Sequence, residues 1–386
     1  MTASRQNVAL WGYAKLLQLW YDVWAALPRR RSQILFAAQQ RARLEGNLLR
    51  VRDRMLERRL DRQSNLVCWT ETKHRDPLRR AFRRLTLTRL MARSDVVLLD
   101  DYCRLLDYIT PRRGLTIVQL WHAGFGFKAV GFARPEPYSP PPVDYGHRKY
   151  TYAICGAEFL RPVYAEVFGI DEEAIIPTGL PRLDGFLDHE RVATARAAVL
   201  RQFPQCRGKR VVLFAPTFRG QTGDDAYYDY SKMDFAGLYS WCGDSAVVLV
   251  RMHHFVSQLP PIPAEYRDRI IDVSSYPETN DLLHVADVLI TDYSSIVFEY
   301  CLLDRPMLFF AYDEAEYAAT RGFQGDYRNL APGRVCGTFK EVLDALRTND
   351  FEAWKVAEYR AKYLPIADNG AADRVIDQII LPSLGR

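Results

Sequence analysis

Four short stretches of this chain place residues capable of proton or phosphate chemistry directly after runs of β-forming residues. His122 follows "VQLW"; Pro216, Thr217 and Arg219 follow "VVLFA"; Arg251, His253 and His254 follow "VVLV"; Asp292, Ser294 and Ser295 follow "DVLI". Histidine titrates near neutrality and is suited to taking a proton from an alcohol, a contribution of typically ~10²–10⁴-fold in rate. Arginine, histidine and hydroxyl groups at a helix start carry the donors that neutralise phosphate oxygens. The stretch 287–300, "DVLITDYSSIVFEY", reads as a buried strand running into a helix, with Ser294 and Ser295 in the first helical turn. There the unpaired N–H groups and the positive end of the helix dipole bind phosphate, although serine and aspartate are also ordinary caps. Glu299 is one turn further on the same face, placed to accept from a diol such as a ribose or to stand as a solvated acid. After His122 come Ala123, Gly124, Phe125, Gly126 and Lys128; the glycines free the backbone to approach a ligand, and Lys128 adds positive charge or caps the segment.

Other chemistries lack their signatures. The seven histidines show no HExxH spacing, and neither GxxxxGK[ST] nor a well-spaced GxGxxG occurs; "GFGFKAVG" has the wrong spacing. Seven cysteines, odd in number and never in a CxxC pair, indicate a reducing compartment with neither a disulfide frame nor a structural zinc.

The elements that must carry these residues alternate between strand and helix. "SQILFAA", "NLVCWTE", "SDVVLLD", "LTIVQLWHA" and the start of "YTYAICGAEF" read as strands with helical segments among them. "KRVVLFAPTF", "SAVVLVRMHHF", "DRIIDVSS", "ADVLITDYSS" and "RPMLFFAY" form a second series. The expectation is an α/β protein of two Rossmann-like, doubly wound domains, over 32–200 and 201–386, with the last helix crossing back to the first. Ligands of such sheets bind beyond the carboxyl ends of the strands, so the four sets are expected to converge on one cleft.

Residues 1–113 hold 24 Lys and Arg against 11 Asp and Glu, whereas the remainder holds 28 against 36. A basic amino-terminal part fits an anionic partner, or a set of solvated arginines. Within it, "LWGYAKLLQLWYDVWAALPRRR" carries three of the seven tryptophans and ends in Arg29, Arg30 and Arg31. Residues 1–31 therefore read as an amphipathic helix lying in a membrane interface, or packed on its own core or a second subunit.

With these blocks assembled the chain resembles the CDP-glycerol glycerophosphotransferases, the TagF/TagB-like polymerases and primases of teichoic acid and capsule synthesis. The resemblance rests on "QLWHAGFGFK", "GLPRLD" (179–184), "APTFRG", "RMHHF", "DVLITDYSSIVFEYCLLDRPMLFF" and "RGF" (321–323), in that order. It implies the two-domain GT-B architecture, an acceptor-side first domain, and transfer of a glycerol-phosphate unit from CDP-glycerol to a hydroxyl of a lipid-linked glycan or growing polymer, with release of CMP. His122 matches the family's general base, and His253 the histidine that stabilises the pyrophosphate. Ala123, Gly124, Phe125, Gly126, Arg182, Pro216, Thr217, Arg219, Arg251, Met252, Asp292, Ser294, Ser295 and Glu299 match positions around the donor. "HAGF" stands where many members read "HGTP", which leaves CDP-ribitol as an alternative donor. No organic cofactor is implied, and Mg²⁺ beside the pyrophosphate is compatible with the resemblance. Lipid-linked acceptors imply a peripheral enzyme on the cytoplasmic face of the membrane. Two other readings compete: a GT-B glycosyltransferase using a nucleotide-sugar, and a non-catalytic polyanion-binding protein. Nucleic acid is not expected as a partner, because no nucleic-acid module is present.

Overall fold

The fold is that of a computed structural model, which describes residues 2–39, 42–71, 76–122, 129, 131–133, 145–220 and 225–385, with side chains from residue 11 onward. The chain divides into two compact units.

The first unit is built on a six-stranded parallel sheet in the order β2-β1-β3-β4-β5-β6. Its strands are β1 (Gln33–Ala38), β2 (Asn65–Thr70), β3 (Val96–Leu99), β4 (Thr116–Gln119), β5 (Tyr152–Ile154) and β6 (Ile175–Ile176). The central strands are buried along their whole length, as continuous runs such as "VVLL" in β3 require of a sheet covered on both faces. Helices α1 (Thr2–Ala26), α2 (Gly46–Glu57), α3 (Pro77–Arg93) and α4 (Arg161–Phe168) belong to this unit. α3 starts at Asp76, whose side chain accepts from the Leu78 N–H, with Pro77 in the first turn where its missing N–H costs nothing.

α1 packs on α3 with one face. Leu17 and Tyr21 are buried, the Tyr21 hydroxyl accepts from the Arg112 N–H at 3.1 Å, and the Trp20 indole donates to the Leu85 carbonyl at 3.0 Å. The other side leaves Trp11, Leu16, Leu19 and Val23 exposed. No helix among the described residues is long and apolar enough to cross a membrane.

The second unit has a six-stranded parallel sheet in the order β12-β11-β10-β7-β8-β9. Its strands are β7 (Arg210–Phe214), β8 (Ala246–Val250), β9 (Ile270–Asp272), β10 (Val288–Thr291), β11 (Met307–Phe310) and β12 (Arg334–Cys336). Helices α5 (His189–Gln202), α6 (Phe235–Cys242), α7 (Thr279–Val285), α8 (Val297–Cys301) and α9 (Glu314–Arg321) lie in this unit. Winding outward from β7 in one direction and from β10 in the other creates a topological switch point between those two strands, the position where open α/β sheets bind ligands.

The division falls between Asp184 and Gly185, earlier than the boundary near residue 200 expected from the two series of strands. The reason is packing: α5 lies against α7, Arg196 donates to the His284 carbonyl, and the Phe186 ring sits 4.5 Å from that of His284. The chain from Ile366 onward returns to the first unit, where Val375, Ile376, Ile379 and Ile380 enter the core beside α2 and β1. Two short edge strands, β6 and β12, were not anticipated. β6 has only two residues and β12 starts on Arg334, so neither gives a continuous apolar run of four or more.

All seven cysteines are free, and all but Cys68 are buried. Burial pushes the thiols of Cys103 and Cys155 up to about 12, so neither is a thiolate at neutral pH.

Candidate active site

In the first unit the site is His122 and what holds it. β4 ends at Gln119, and two residues later Trp121 adopts φ +54°, a left-handed conformation that costs a bulky residue of order 1–3 kcal/mol. The surroundings over-determine it. The Gln119 side chain accepts from the Trp121 N–H at 2.9 Å, and the Trp121 ring lies edge-on to Phe168 at 5.6 Å. Asn47 of α2 donates to the carbonyls of Leu120 and Trp121 at 2.8 and 2.9 Å. This kink throws His122 out beyond the strand end, stacked on Trp121 at 4.7 Å.

The ring of His122 has a defined tautomer. Its Nδ1 lies 3.1 Å from the Asp100 backbone carbonyl, which can only accept, so Nδ1 carries the proton and Nε2 presents a lone pair. The Asp101 carboxylate stands 3.6 Å from Nδ1, placed to stabilise the imidazolium formed when Nε2 takes a proton.

Asn47 is the residue that sequence reasoning passed over. It is 1 % exposed, and its Oδ1 also accepts from the Arg182 N–H at 2.8 Å, so one side chain ties the His122 turn to the "GLPRLD" segment. Arg182 in turn donates to the His122 carbonyl. The signal in the sequence was an amide on the apolar face of α2, among Leu48, Val51 and Met55. In the same segment Gly179 has φ +79°, and a Cβ there would meet the Ile366 carbonyl at 2.9 Å. Asp184 accepts from the N–H groups of Ala371 and Ala372 at 3.2 and 2.8 Å, capping the returning carboxyl-terminal segment. Burial pushes the Asp184 pKa up, against the lowering effect of those two bonds.

In the second unit the ends of β7 and β10 meet at the switch point. Asp292 is fully buried and accepts from the N–H groups of Thr217 (2.8 Å) and Tyr293 (2.7 Å), from the Thr217 hydroxyl (3.2 Å) and from Arg219 (2.9 Å). Arg219 is itself only 6 % exposed and pairs on its other edge with Asp313, following β11. The rings of Tyr228, Tyr293, Tyr312 and Tyr317 surround the guanidinium at 5.2 to 5.7 Å. Burial lowers the Arg219 pKa, but the charge of Asp292 and the bond to Asp313 outweigh it, and the net shift is upward. Arg219 and Asp292, read from sequence as ligand contacts, also brace the strand ends internally. Pro216 and Thr217 are buried with them.

Arg251 has a comparable position. It donates to the carbonyls of Val273, Ser274 and Tyr276 and to the Thr279 hydroxyl, and burial draws its pKa downward. It organises the loop after β9, beside the phosphate contact that the sequence suggests for it. The neighbouring Met252 is buried, and its N–H donates to the Ser274 hydroxyl at 3.0 Å. His253 is half-buried, and its Nδ1 accepts from the Phe255 N–H at 3.2 Å, so Nε2 carries the proton and acts as a donor.

Ser294 and Ser295, both half-buried, precede α8 and do not lie in its first turn; α8 is a short helix of five residues. Glu299 is 6 % exposed, neither a solvated acid nor open to bulk water. Ala123, Gly124, Phe125, Gly126 and Lys128 lie outside the described residues. Among the described residues no group of three or more His, Cys, Asp or Glu side chains could hold a metal ion.

Two doubly wound units with chemical side chains at their strand ends define a GT-B-type fold, and a solved structure of the wall teichoic acid polymerase TagF shares it. That structure aligns with a TM-score of 0.73 at 20 % identity, over 99 % of this chain and 98 % of the other. The family model of CDP-glycerol:poly(glycerophosphate) glycerophosphotransferases matches residues 19–381, and the chain belongs to this family. It is 36 % identical over 354 residues to the teichoic acid ribitol-phosphate polymerase TarK of Staphylococcus aureus, covering 91 % of this chain and 69 % of the relative. It is 35 % identical over 363 residues to a teichoic acid poly(ribitol-phosphate) polymerase of Bacillus spizizenii, covering 94 % and 58 %. A teichoic acid ribitol-phosphate primase of the same species is 32 % identical over 297 residues, covering 75 % of each chain. The chain therefore spans only about 58 to 69 % of the length of the two polymerases.

Proposed function

We propose that this protein transfers a polyol-phosphate unit from a CDP-polyol to a hydroxyl of a teichoic-acid-type acceptor, releasing CMP. The observation that carries the reading is the pair of ring contacts at the two strand ends. His122 has Nδ1 against the Asp100 carbonyl and suits the general base; His253 has Nδ1 accepting from the Phe255 N–H and suits stabilisation of a phosphate oxygen. The acceptor oxygen attacks the phosphorus bearing the polyol, its proton passes to His122, and the bond to the bridging oxygen breaks, leaving that oxygen on CMP. Such a loose phosphoryl transition state depends mainly on positioning and charge neutralisation.

Relatives that are ribitol-phosphate enzymes favour CDP-ribitol over CDP-glycerol. The test is CMP release from each donor with a lipid-linked or short polyol-phosphate acceptor. Turnover with CDP-ribitol at least tenfold above CDP-glycerol is expected. Release of CMP from neither, with UDP- or GDP-sugars turned over instead, would replace the reading with glycosyl transfer.

The proposal includes a place of work on the cytoplasmic membrane surface. α1 exposes Trp11, Leu16, Leu19 and Val23, and its partner α3 exposes Leu78 and Phe82 among six arginines. Apolar and aromatic groups beside arginines suit the interface of an anionic leaflet, where each Arg contributes about 1 kcal/mol. Changing Trp11, Leu16, Leu19 and Val23 together to serine should release the protein from phosphatidylglycerol vesicles in co-sedimentation with its melting temperature little altered. Equal sedimentation of variant and parent would sink the membrane assignment.

A further inference from the structure

β3 and β4 are neighbours in the first sheet, with Leu99 paired to Gln119. Asp101 follows the end of the one and His122 the end of the other. Gln119 is fully buried at this junction, an amide within the apolar run "TIVQL". A buried amide costs stability unless its polar atoms are met, and here both its nitrogen and its oxygen are engaged. The oxygen accepts from the Trp121 N–H at 2.9 Å. The nitrogen donates to the Asp101 carbonyl at 3.1 Å and to the Tyr150 hydroxyl at 2.9 Å.

The two backbone partners fix which way round the amide faces. The Trp121 N–H needs an acceptor and the Asp101 carbonyl a donor, so the side chain between them must offer one of each. One residue thereby holds the left-handed turn that aims His122 and the backbone of the acid opposite it. The Asp101 carboxylate follows its backbone: Oδ1 accepts from the Tyr102 N–H at 2.7 Å, which leaves Oδ2 facing His122 Nδ1 at 3.6 Å. Asn47 braces the same turn through Leu120, Trp121 and Arg182, so the link to Asp101 falls to Gln119. Behind the amide, the Tyr150 hydroxyl lies 2.7 Å from His147 Nδ1, and the His147 ring lies 4.6 Å from that of Tyr102. The network thus closes on the residue next to Asp101.

We propose that Gln119 is a positioning residue for the transfer reaction, its amide setting the place of His122 and of Asp101 together. The proposal rests on the reading of His122 as general base and adds to it the buried group that keeps base and acid in register. A misplacement of about 1 Å at a reacting group can cost ~10²-fold in rate, so a side chain that touches no substrate can still govern kcat. The effect requires the donor-and-acceptor pattern of the amide, and its shape alone does not supply it.

The test is Gln119→Glu in the full chain, nearly identical in shape, with CMP release measured at several pH values as the ratio of variant to parent at the same pH. Burial raises a carboxyl's pKa. Below that pKa the neutral acid donates to the Asp101 carbonyl and accepts from the Trp121 N–H, as the amide does. Above it an ionised oxygen faces the Asp101 carbonyl and the pattern is broken. The kcat ratio should therefore be about one tenth or less near pH 8 and climb several-fold toward about pH 6, with the KM for the donor within about threefold. Adding Gln119→Glu to His122→Ala should lower kcat no further, because the effect passes through His122. Gln119→Met, which fills the space and lacks the donor and acceptor pattern, should show the loss at every pH, and it decides the matter if the Glu variant does not fold, as melting temperatures will report. A kcat ratio that does not vary with pH, a Met variant with the parent's kcat, or a loss confined to KM would each overturn the positioning role. Full activity in His122→Ala would instead reject the base itself, so the two failures are told apart.

Discussion

Replacing His122 with alanine is expected to lower CMP release by ~10²–10⁴-fold, the typical contribution of a positioned general base. Several features aim this ring. Trp121 in a left-handed turn lifts it clear of β4, Asn47 and Gln119 hold that turn, and the Asp100 carbonyl keeps the proton on Nδ1. The nearby Asp101 carboxylate then meets the positive charge that forms. Because none of these contacts involves the second unit, donor affinity measured by calorimetry should stay within about threefold, leaving the loss in kcat. A variant retaining more than a tenth of the parent's kcat would remove His122 from the role of base. The alanine opens no buried cavity, since the His122 side chain is 42 % exposed, and its melting temperature should match the parent's.

The largest stability effect is expected at Arg219. Arg219→Ala leaves Asp292 and Asp313 without their shared cation inside a shell of tyrosines, and breaking a buried ion pair from one side costs about 3–5 kcal/mol. Denaturant unfolding should show this as a lower midpoint with the slope unchanged. A second change, Asp313→Asn in the Arg219→Ala background, should recover part of the loss by removing one uncompensated charge. Non-additivity of this sign measures the coupling directly. An Arg219→Ala protein within about 1 kcal/mol of the parent would show the triad to be an ordinary surface arrangement, because exposed pairs contribute only about 0–1 kcal/mol. Activity should fall as well, since Thr217 and Asp292 belong to the strand ends that the triad locks together and a 1 Å misplacement can cost ~10²-fold.

Much of the architecture was legible along the chain. Strand runs such as "VVLFA" and "DVLI" are continuous apolar segments followed by polar ends, and nearly all the longer ones became parallel strands at the expected places. A strand buried on both faces must be apolar throughout, and that condition is local, so it is visible in a window of a few residues. The helix ahead of β1 was likewise visible as a run of apolar and aromatic residues, although sequence could not say that Tyr21 would be buried and Trp11 exposed. The edge strands β6 and β12 gave no continuous apolar run to read.

At the site, sequence by itself determined which chemical groups stand at strand ends: three histidines, two arginines, a threonine, an aspartate and a pair of serines. What each group does was decided only in three dimensions. Arg219 and Asp292 lie 73 positions apart in the chain, yet each is the other's partner, and that pairing braces the strand ends. His122 and His253 are the same residue type, and the carbonyl of Asp100 and the N–H of Phe255 give them opposite tautomers. Asn47 holds the His122 turn from 74 residues away, and nothing near it in sequence names its partner. The physical reason is common to all of these: residue type and spacing are set by local backbone geometry, whereas protonation, burial and pairing depend on contacts that exist only once distant segments have packed.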